Sequence, residues 1–236
     1  MKTFNEVIFE HTRPVLTVNC VIFGFDGKEL NILLIRRDTN DHKEKWALPG
    51  ALASMSETLE ETARRSIREE ANIDNVFLKQ IGAFSSVTRV PNERVICVAY
   101  YGLLKKSKYT IATGSDAIEV KWFDKNTFPE MILDHQQIAH EAFETLRNKL
   151  HNDPVALELL DKEFSLGELQ KIYEVIYDKK LDRRNFQRKL LSSGLFLSKK
   201  NITNTISKKK CTIKYSFDRS SYDKIKKEIK RNPIDI

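Results

Sequence analysis

The chain has 236 residues, with 40 Lys and Arg against 33 Asp and Glu, and 41% of its residues are hydrophobic. Its three Cys, eight Gly and six Pro exclude a disordered, a collagen-like or a disulfide-stapled protein. Cys20, Cys97 and Cys211 are far apart and form no C-x-x-C pair, so they are predicted to be reduced and mostly buried. This length favours two globular domains with hydrophobic cores.

Positive charge is concentrated in the C-terminal third of the chain. Residues 1–150 carry 20 basic and 21 acidic side chains, whereas residues 151–236 carry 20 and 12, a net charge of +8. Such an excess predicts a module that binds a polyanion. The sequence contains no apolar run of about 18 residues, and acids stand where a secretion signal has its apolar core. The protein is therefore expected to be cytoplasmic and to contact no membrane.

The first 150 residues alternate between strand-like and helix-like patterns. Apolar, β-branched runs at 15–25 and 30–36 flank Asp26-Gly27, which predicts a β-hairpin. Residues 57–71 lack Gly and Pro and repeat apolar side chains at helical spacing, which predicts an amphipathic helix. Further strands are predicted at 76–87, 94–104 and 118–123, followed by a helix with apolar positions at Ile138, Ala139, Ala142, Phe143, Leu146 and Leu150. This order is typical of a β-rich α/β domain.

The pattern changes after His151-Asn152-Asp153-Pro154, a polar segment whose proline is typical of a domain junction. We therefore predict two domains, residues 1–151 and residues 152–236. Beyond the junction, Ser165 and Glu168 have the spacing of a capping box, which predicts the start of a helix.

A second short helix is predicted to begin at Arg183, where Asp182 can cap its first turn and Gly194 can close its end. Two strand-like segments, LFLS and CTIKYSF, follow it, and an amphipathic lysine-rich segment at 222–231 comes after them. Helix, helix and two-stranded hairpin is the order of a winged helix-turn-helix. The C-terminal domain is therefore predicted to have this fold.

The second helix separates an apolar face from a cationic one. At 100° per residue, Phe186 and Leu190 point to one side and the basic residues point away from it. Arginine pairs with guanine edges, asparagine with adenine, and lysine with phosphates, so the helix is predicted to read double-stranded DNA. The predicted DNA contacts on this helix are Arg183, Arg184, Asn185, Arg188 and Lys189.

Four lysines in or beside the hairpin, Lys208, Lys209, Lys210 and Lys214, are predicted to contact the DNA backbone as a wing. Binding through phosphates weakens steeply as salt rises. A surface lysine that only aids solubility is the simpler interpretation of any one of them, but the grouping of so many favours DNA. An RNA-binding or protein-interaction module is the weaker alternative, because no aromatic stacking motif is present.

The segment LPGALASMSETLEETARRSIREEANI resembles the Nudix box, G-x5-E-x7-R-E-U-x-E-E-x-G-U, in which U is an aliphatic residue. Residues 46–50 precede it and resemble the W-x-L-P-G lead-in of that family. The acids and the arginine of the box are kept as Glu57, Arg65, Glu69 and Glu70. Ala51, Ser66 and Asn72 stand where the box has Gly, Glu and Gly. The resemblance implies a Nudix-like α/β/α sandwich.

In active members of the family, carboxylates of the box hold Mg²⁺ or Mn²⁺, which neutralise a diphosphate and activate a water. Positions 66, 69 and 70 lie on one helical face by their spacing, and Ser66 removes one carboxylate. We therefore expect no required cofactor, at most weak Mg²⁺ binding by the remaining acids, and no more than residual hydrolase activity. Those acids are Glu57, Glu69 and Glu70, and Arg65 is expected to pair with one of them. An ordinary solvated acidic helix is the simpler alternative, and the spacing of the motif argues against it.

The whole chain resembles the Nudix-related transcriptional regulators of the NrtR type, in which a Nudix-like domain precedes a winged helix. The resemblance is carried by RVPNERVICVAYYGLL, by Leu133-Asp134-His135 and by FSLGELQKIYEVIYDKKLDRRNFQRKLLSSGL, where Gln187 replaces a family arginine. It implies a homodimeric repressor or activator that binds operator DNA and senses a small molecule.

The resemblance implies one of two effector classes, an ADP-ribose-like nucleotide or a pentose sugar such as arabinose. Arg36, Arg37, Trp46 and Arg94 would suit the nucleotide, whereas Trp46 with Glu57 and Glu70 would suit the sugar equally well. The alternative function is a Nudix pyrophosphohydrolase acting on ADP-ribose or a related nucleoside diphosphate compound.

Overall fold

The computed structural model describes residues 14–37, 45–114, 117–199 and 213–224. The chain folds as two compact units, Met1–Glu158 and Leu159–Ile236. Their boundary lies inside the short 3₁₀ helix Val155–Leu159, whereas the sequence predicts a junction after residue 151. Within the described ranges, no helix combines the length and the apolar composition needed to cross a bilayer.

Seven strands of the described residues form one mixed sheet in the first unit. They are β1 (Val15–Phe25), β2 (Leu30–Arg36), β3 (Trp46–Ala47), β4 (Gly50–Leu52), β5 (Phe77–Phe84), β6 (Val95–Lys105) and β7 (Glu119–Asp124). The main order is β3-β2-β1-β6-β5, with β4 also pairing to β1 and β7 to β2. β1 and β6 run parallel over their whole length, and the other pairs are antiparallel. The predicted strands are confirmed.

The turn between β1 and β2 explains why this hairpin could be predicted. The Asp26 carboxylate accepts hydrogen bonds from the backbone N–H groups of Lys28 and Glu29, at 2.8 and 2.9 Å. Gly27 has a φ of +99°, a conformation that glycine adopts without steric cost. The Asp-Gly pair therefore supplies both the hydrogen-bond acceptor and the backbone freedom that the turn needs.

Helix α1 (Leu59–Ala71) and helix α2 (His135–Asn152) cover the two faces of the sheet. Alternate residues of a strand point to opposite faces, so Val18 and Cys20 of β1 pack in one core with Ile67 of α1. Phe23, at an odd position of β1, points to the other face and meets Phe143 of α2, with ring centroids 6.2 Å apart. The predicted α/β/α sandwich is confirmed. Short 3₁₀ helices occupy Lys106–Lys108 and Val155–Leu159.

The second unit contains helix α3 (Leu166–Tyr177), helix α4 (Arg183–Ser192) and the antiparallel strands β8 (Phe196–Lys199) and β9 (Lys214–Phe217). Both hydrogen bonds of the predicted capping box are formed between Ser165 and Glu168, and Asp182 accepts from the backbone of Asn185. The predicted winged helix is therefore confirmed. Residues 219–224 are helical, whereas Lys208, Lys209, Lys210, Cys211 and positions 225–231 lie outside the described residues.

Candidate functional site

Arg65 ties the loop before α1 to the helix. Arg65 donates from Nε to Glu57 Oε1 at 2.7 Å, from Nη1 to Glu69 Oε2 at 3.2 Å and from Nη2 to the Leu52 carbonyl at 3.2 Å. The hydrogen bond with Arg65 holds the pKa of Glu57 below its ordinary value, and the same bond raises the pKa of Arg65. The predicted ion pair between Arg65 and a carboxylate of the box is confirmed.

Glu70 is the buried acid of the box, with only 4% of the residue exposed. One oxygen accepts the backbone N–H of Gly50 at 2.8 Å, and the other accepts Nε of Arg37 at 2.8 Å. The Nη2 group of Arg37 contacts both this carboxylate and the Gly50 carbonyl. Arg37 therefore clamps the end of α1 to strand β4.

Gly50 makes this clamp sterically feasible. A Cβ atom at position 50 would lie 2.3 Å from Nδ2 of Asn19 and 2.4 Å from the carbonyl oxygen of Val18. Any side chain would therefore push β4 away from β1, with which it pairs. The close approach is what brings the N–H and the carbonyl of Gly50 to Glu70 and Arg37.

Ser66 corrects one expectation from the sequence. Its residue is 1% exposed, and its hydroxyl donates to the carbonyl of Ala63 at 2.9 Å and lies 3.9 Å from Sγ of Cys20. Burial raises the pKa of the Cys20 thiol to about 12, so this neighbour is uncharged. Glu69, by contrast, is exposed and paired with Arg65. Ser66 and Glu70, at 1% and 4% exposure, face the core, whereas Glu69 is exposed, so the positions expected on one helical face are divided between core and solvent.

The carboxylates present in the box do not fit a divalent metal ion in this arrangement. Glu57 and Glu69 are both bound to Arg65, and Glu70 is bound to Arg37. The described residues contain no group of three or more His, Cys, Asp and Glu side chains placed to hold a metal ion. All three acids of the box that a metal would need are already paired with two arginines.

A cavity of about 370 Å³ opens beside this clamp. Its wall includes the first residues of β1, strand β4, residues 89–95 and the start of α2. The charged side chains that line it are Arg37, Lys45, Arg89 and Glu93, and the polar ones include Thr17, Asn19 and His135. The cavity therefore presents more positive than negative groups, together with apolar surface from valines and leucines.

Arg89 is held rigidly in this wall. Its side chain is 3% exposed, its Nε donates to Oδ2 of Asp134 at 2.8 Å, and its Nη2 donates to Oδ1 of Asn19 at 3.4 Å. His135 accepts the backbone N–H of Leu48 through Nδ1 at 3.0 Å, so this nitrogen carries no proton. These contacts join β1, the 89–95 loop and α2 around one side of the cavity.

Only some of the residues predicted to bind the ligand lie at the cavity. Arg37 lines the cavity, and Glu70 lies directly behind it. Arg36 instead pairs with Glu119 at 2.7 Å, and its guanidinium lies over the ring of Trp46 at 5.7 Å. Trp46 also packs edge-on against Phe123. Two further predicted residues lie outside the lining, since Glu57 is bound to Arg65 and Arg94 donates to the Ser85 carbonyl.

Besides Thr17, Lys45 and Glu93 of the lining, four hydrogen-bonded residues of this wall were not assigned a role from the sequence: Asn19, Arg89, Asp134 and His135. Three of them stand in stretches that carry the family resemblance, RVPNERV and Leu133-Asp134-His135. The presence of an arginine and an aspartate within these resembling stretches was the sequence signal that could have identified them as site residues. Asn19 lies within an apolar strand, where a single amide offers no such signal.

Helix α4 presents the basic surface of the second unit. Phe186 packs on Tyr173 of α3 with ring centroids 5.3 Å apart, which fixes the inner side of the helix. The five residues predicted to contact DNA are all exposed: Arg183, Arg184, Asn185, Arg188 and Lys189. Nη2 of Arg188 donates to Oδ1 of Asn185 at 2.9 Å, so two of these side chains lie side by side.

The hairpin contributes one described lysine of the predicted wing. Lys214 begins β9 and donates to Oε2 of Glu168 at 3.0 Å. Glu168 belongs to the capping box of α3, so this contact fastens the hairpin to the helix pair. In this arrangement Lys214 binds a carboxylate of its own unit.

Comparison with known proteins assigns a family to both units. Residues 13–146 match the NUDIX domain family, and residues 156–217 match the NrtR DNA-binding winged helix domain. The chain is 30% identical over 189 residues to the "ADPR responsive transcriptional repressor NtrR" of Acinetobacter baylyi, which covers 79% of this chain and 76% of that protein. The chain belongs to the NrtR family of Nudix-domain proteins.

This NrtR family member also resembles an enzyme. It is 33% identical over 128 residues to the "ADP-ribose pyrophosphatase" of Methanocaldococcus jannaschii, which covers 54% of this chain and 72% of that protein. Among solved structures, Shewanella oneidensis NrtR matches with a TM-score of 0.69 and 25% identity, over 86% of this chain and 94% of that one. The predicted resemblance to NrtR-type regulators is confirmed.

Proposed function

We propose that this NrtR family member is a transcriptional repressor that binds operator DNA through its C-terminal unit and ADP-ribose through its Nudix unit. The exposed basic face of α4 in a winged helix is the observation that carries the proposal. The Acinetobacter baylyi relative, named as an ADPR responsive transcriptional repressor, supports both halves of it.

The chemistry of α4 suits the major groove of DNA. Arg184 and Arg188 stand one turn apart on the exposed side, and Asn185 lies between them in sequence. Guanidinium groups bind guanine edges or phosphates, and an asparagine amide matches adenine. The cap from Asp182 and the packing of Phe186 hold the backbone of this helix, so the basic side chains are presented on a fixed scaffold.

The cavity of the Nudix unit suits an anionic nucleotide better than a neutral sugar. Arg37, Lys45 and Arg89 line it together with one acid, Glu93. Each of these cations also pairs with an acid outside the lining, and their remaining N–H groups can donate charge-assisted hydrogen bonds to a diphosphate. A sugar would need none of these cations. The names of the Acinetobacter baylyi and Methanocaldococcus jannaschii relatives both refer to ADP-ribose, and neither refers to a free sugar.

The DNA-binding half is tested with duplexes selected by the full-length protein from a random-sequence library, with affinity measured by fluorescence anisotropy. Arg184→Ala combined with Arg188→Ala removes two charge-assisted contacts at about 1.5–3 kcal/mol each, so affinity should fall at least about a hundredfold. The salt dependence of binding should also become shallower.

The matched control is Lys28→Ala combined with Lys79→Ala. It removes the same charge from exposed positions of the first unit, so it should leave DNA affinity within about threefold of the parent protein. Equal losses in both double variants would mean that net charge alone drives binding. If the α4 double variant binds DNA as tightly as the parent protein does, α4 is not the recognition helix.

A pyrophosphohydrolase is the second candidate function, favoured by the 33% identity to an ADP-ribose pyrophosphatase. We infer that hydrolysis is slow in this chain, since Ser66 replaces a carboxylate of the box and the remaining acids are paired with arginines. The test incubates the protein with ADP-ribose and Mg²⁺ or Mn²⁺ and measures the released AMP by chromatography. We expect the protein to release AMP no faster than its Glu70→Gln variant does. Faster release that Glu70→Gln abolishes would establish the enzyme instead.

A further inference from the structure

Glu70 and Gly50 bring two oxygen groups together at the wall of the cavity. The carboxylate of Glu70 is almost fully buried, and the carbonyl of Gly50 lies within reach of the same guanidinium. A carboxylate and a backbone carbonyl are ligands that hard divalent cations prefer. A buried carboxylate also requires a compensating positive charge.

Arg37 supplies that charge from within the chain. Its Nε donates to Glu70 at 2.8 Å, and its Nη2 contacts both Glu70 and the Gly50 carbonyl. The side chain is 29% exposed and lines the cavity. Within the described part of the chain, Nη1 makes no hydrogen bond, so it remains a donor that a ligand in the cavity can use.

We propose that Arg37 is a built-in substitute for a divalent cation, which occupies the position between Glu70 and Gly50 and excludes metal ions from it. The guanidinium neutralises Glu70, bridges α1 to β4, and offers Nη1 to an anionic group of the ligand. Metal binding at this position is then absent from the parent protein and is created when Arg37 is removed.

The pairing is stable for a physical reason. Removing one partner of a buried ion pair leaves an uncompensated charge, which costs far more than the pair itself contributes. The fork of the guanidinium matches two oxygens at once, whereas a metal ion would have to displace it and also find further ligands. Ser66, turned into the core, provides none.

The test measures Mn²⁺ affinity in the parent protein and in Arg37→Gln. Each protein is titrated with Mn²⁺, and the concentration of the free ion is determined by electron paramagnetic resonance. We expect Arg37→Gln to bind one Mn²⁺ at least about tenfold more tightly than the parent protein does. The double variant Arg37→Gln with Glu70→Gln should lose that gain. Arg36→Gln is the matched control, since the neighbouring arginine pairs with Glu119 instead, and it should bind Mn²⁺ as the parent protein does.

Thermal unfolding with and without Mn²⁺ provides a second measurement in case Arg37→Gln is less stable than the parent protein. Mn²⁺ should raise its melting temperature and leave that of the parent protein unchanged, because a ligand that binds only the folded state stabilises it. Arg37→Lys keeps a charge near Glu70 and should exclude Mn²⁺. Equal Mn²⁺ binding by the parent protein and Arg37→Gln would overturn the proposal, as would an Arg37→Gln protein that no Mn²⁺ concentration stabilises.

The contact between Nη1 and the ligand rests on the proposed function, and a separate measurement examines it. Calorimetry with ADP-ribose in EDTA should show binding by the parent protein, and affinity at least about tenfold weaker for Arg37→Gln. Equal affinity of the two proteins for ADP-ribose would show that Nη1 does not contact the ligand. Absence of ADP-ribose binding in every protein would refute the proposed effector, while the Mn²⁺ titration would still decide the role of Arg37.

Discussion

Two arginines divide the acids of the Nudix box between them. Arg65 binds Glu57 and Glu69 at the outer side of α1, and Arg37 binds Glu70 at the inner side. The outer pairs are partly solvated, so each contributes little to stability by itself. The inner pair is buried, and its loss would leave a charge without compensation.

The outer pair predicts how stability depends on pH. Arg65 lowers the pKa of Glu57 below its ordinary value of 4.5. A carboxylate with a lowered pKa stabilises the fold fully above its unfolded pKa, and that stability is lost as pH falls through the lower, folded value. Glu57→Gln should therefore lose stability relative to the parent protein at neutral pH, and the difference should shrink below about pH 4.

Urea unfolding from neutral pH to about pH 2.5 measures this difference. Glu141→Gln removes a carboxylate from an exposed position of α2 and serves as the control for the change in net charge. A stability difference between Glu57→Gln and the parent protein that stays constant across this range would contradict the assignment.

At the scale of elements, α4 depends on its first turn. Asp182 accepts the backbone N–H of Asn185 at 2.8 Å, which satisfies a group that the helix itself leaves unpaired. The helix has no fully buried residue, so packing holds it less firmly than it holds α3. Its cap is therefore expected to matter for both stability and DNA binding.

Asp182→Ala should lower the free energy of unfolding by about 1 kcal/mol, the usual value of an N-cap, and should weaken DNA binding because the basic turn frays. Chemical denaturation and fluorescence anisotropy measure the two effects. Asp182→Asn is the matched control, since it makes the same change in charge and keeps a capping side chain. If both variants behave alike, charge rather than capping explains the effect.

At the scale of the whole molecule, the proposed repressor requires coupling between its two units. We propose that it acts as a homodimer on a two-fold symmetric operator with half-sites about one helical turn apart, or a multiple of it. A dimer twice the chain mass of 27.4 kDa should appear in light scattering. Coupling then arises when ADP-ribose favours a dimer arrangement that binds the operator less well.

Linkage makes this coupling measurable from both sides. ADP-ribose should weaken operator affinity by about 5- to 150-fold, and the operator should weaken ADP-ribose affinity by the same factor. Anisotropy titrations with and without ADP-ribose give the first factor, and calorimetry with and without operator gives the second. ATP serves as a nucleotide control. If ADP-ribose leaves operator affinity unchanged, the two units are not coupled and this mechanism is wrong.

Local chemistry in the sequence was sufficient for the elements and their order. The Asp26-Gly27 turn, the capping box at Ser165 and the cap at Asp182 each act within four residues of the chain. The apolar repeats that predicted α1 and α2 likewise depend only on helical spacing. The resemblance to the Nudix box and to the NrtR stretches then supplied the fold class.

The tertiary structure alone decided which polar groups meet. Asn19, Arg89 and Asp134 come from three separate elements, and Arg37 reaches Glu70 across 33 positions of the chain. The direction of Ser66 was also decided there, because helical spacing gives relative angles on α1 but not which angle faces the sheet. Sequence fixes contacts that close within a turn or two, whereas contacts between distant segments follow from strand register and helix packing.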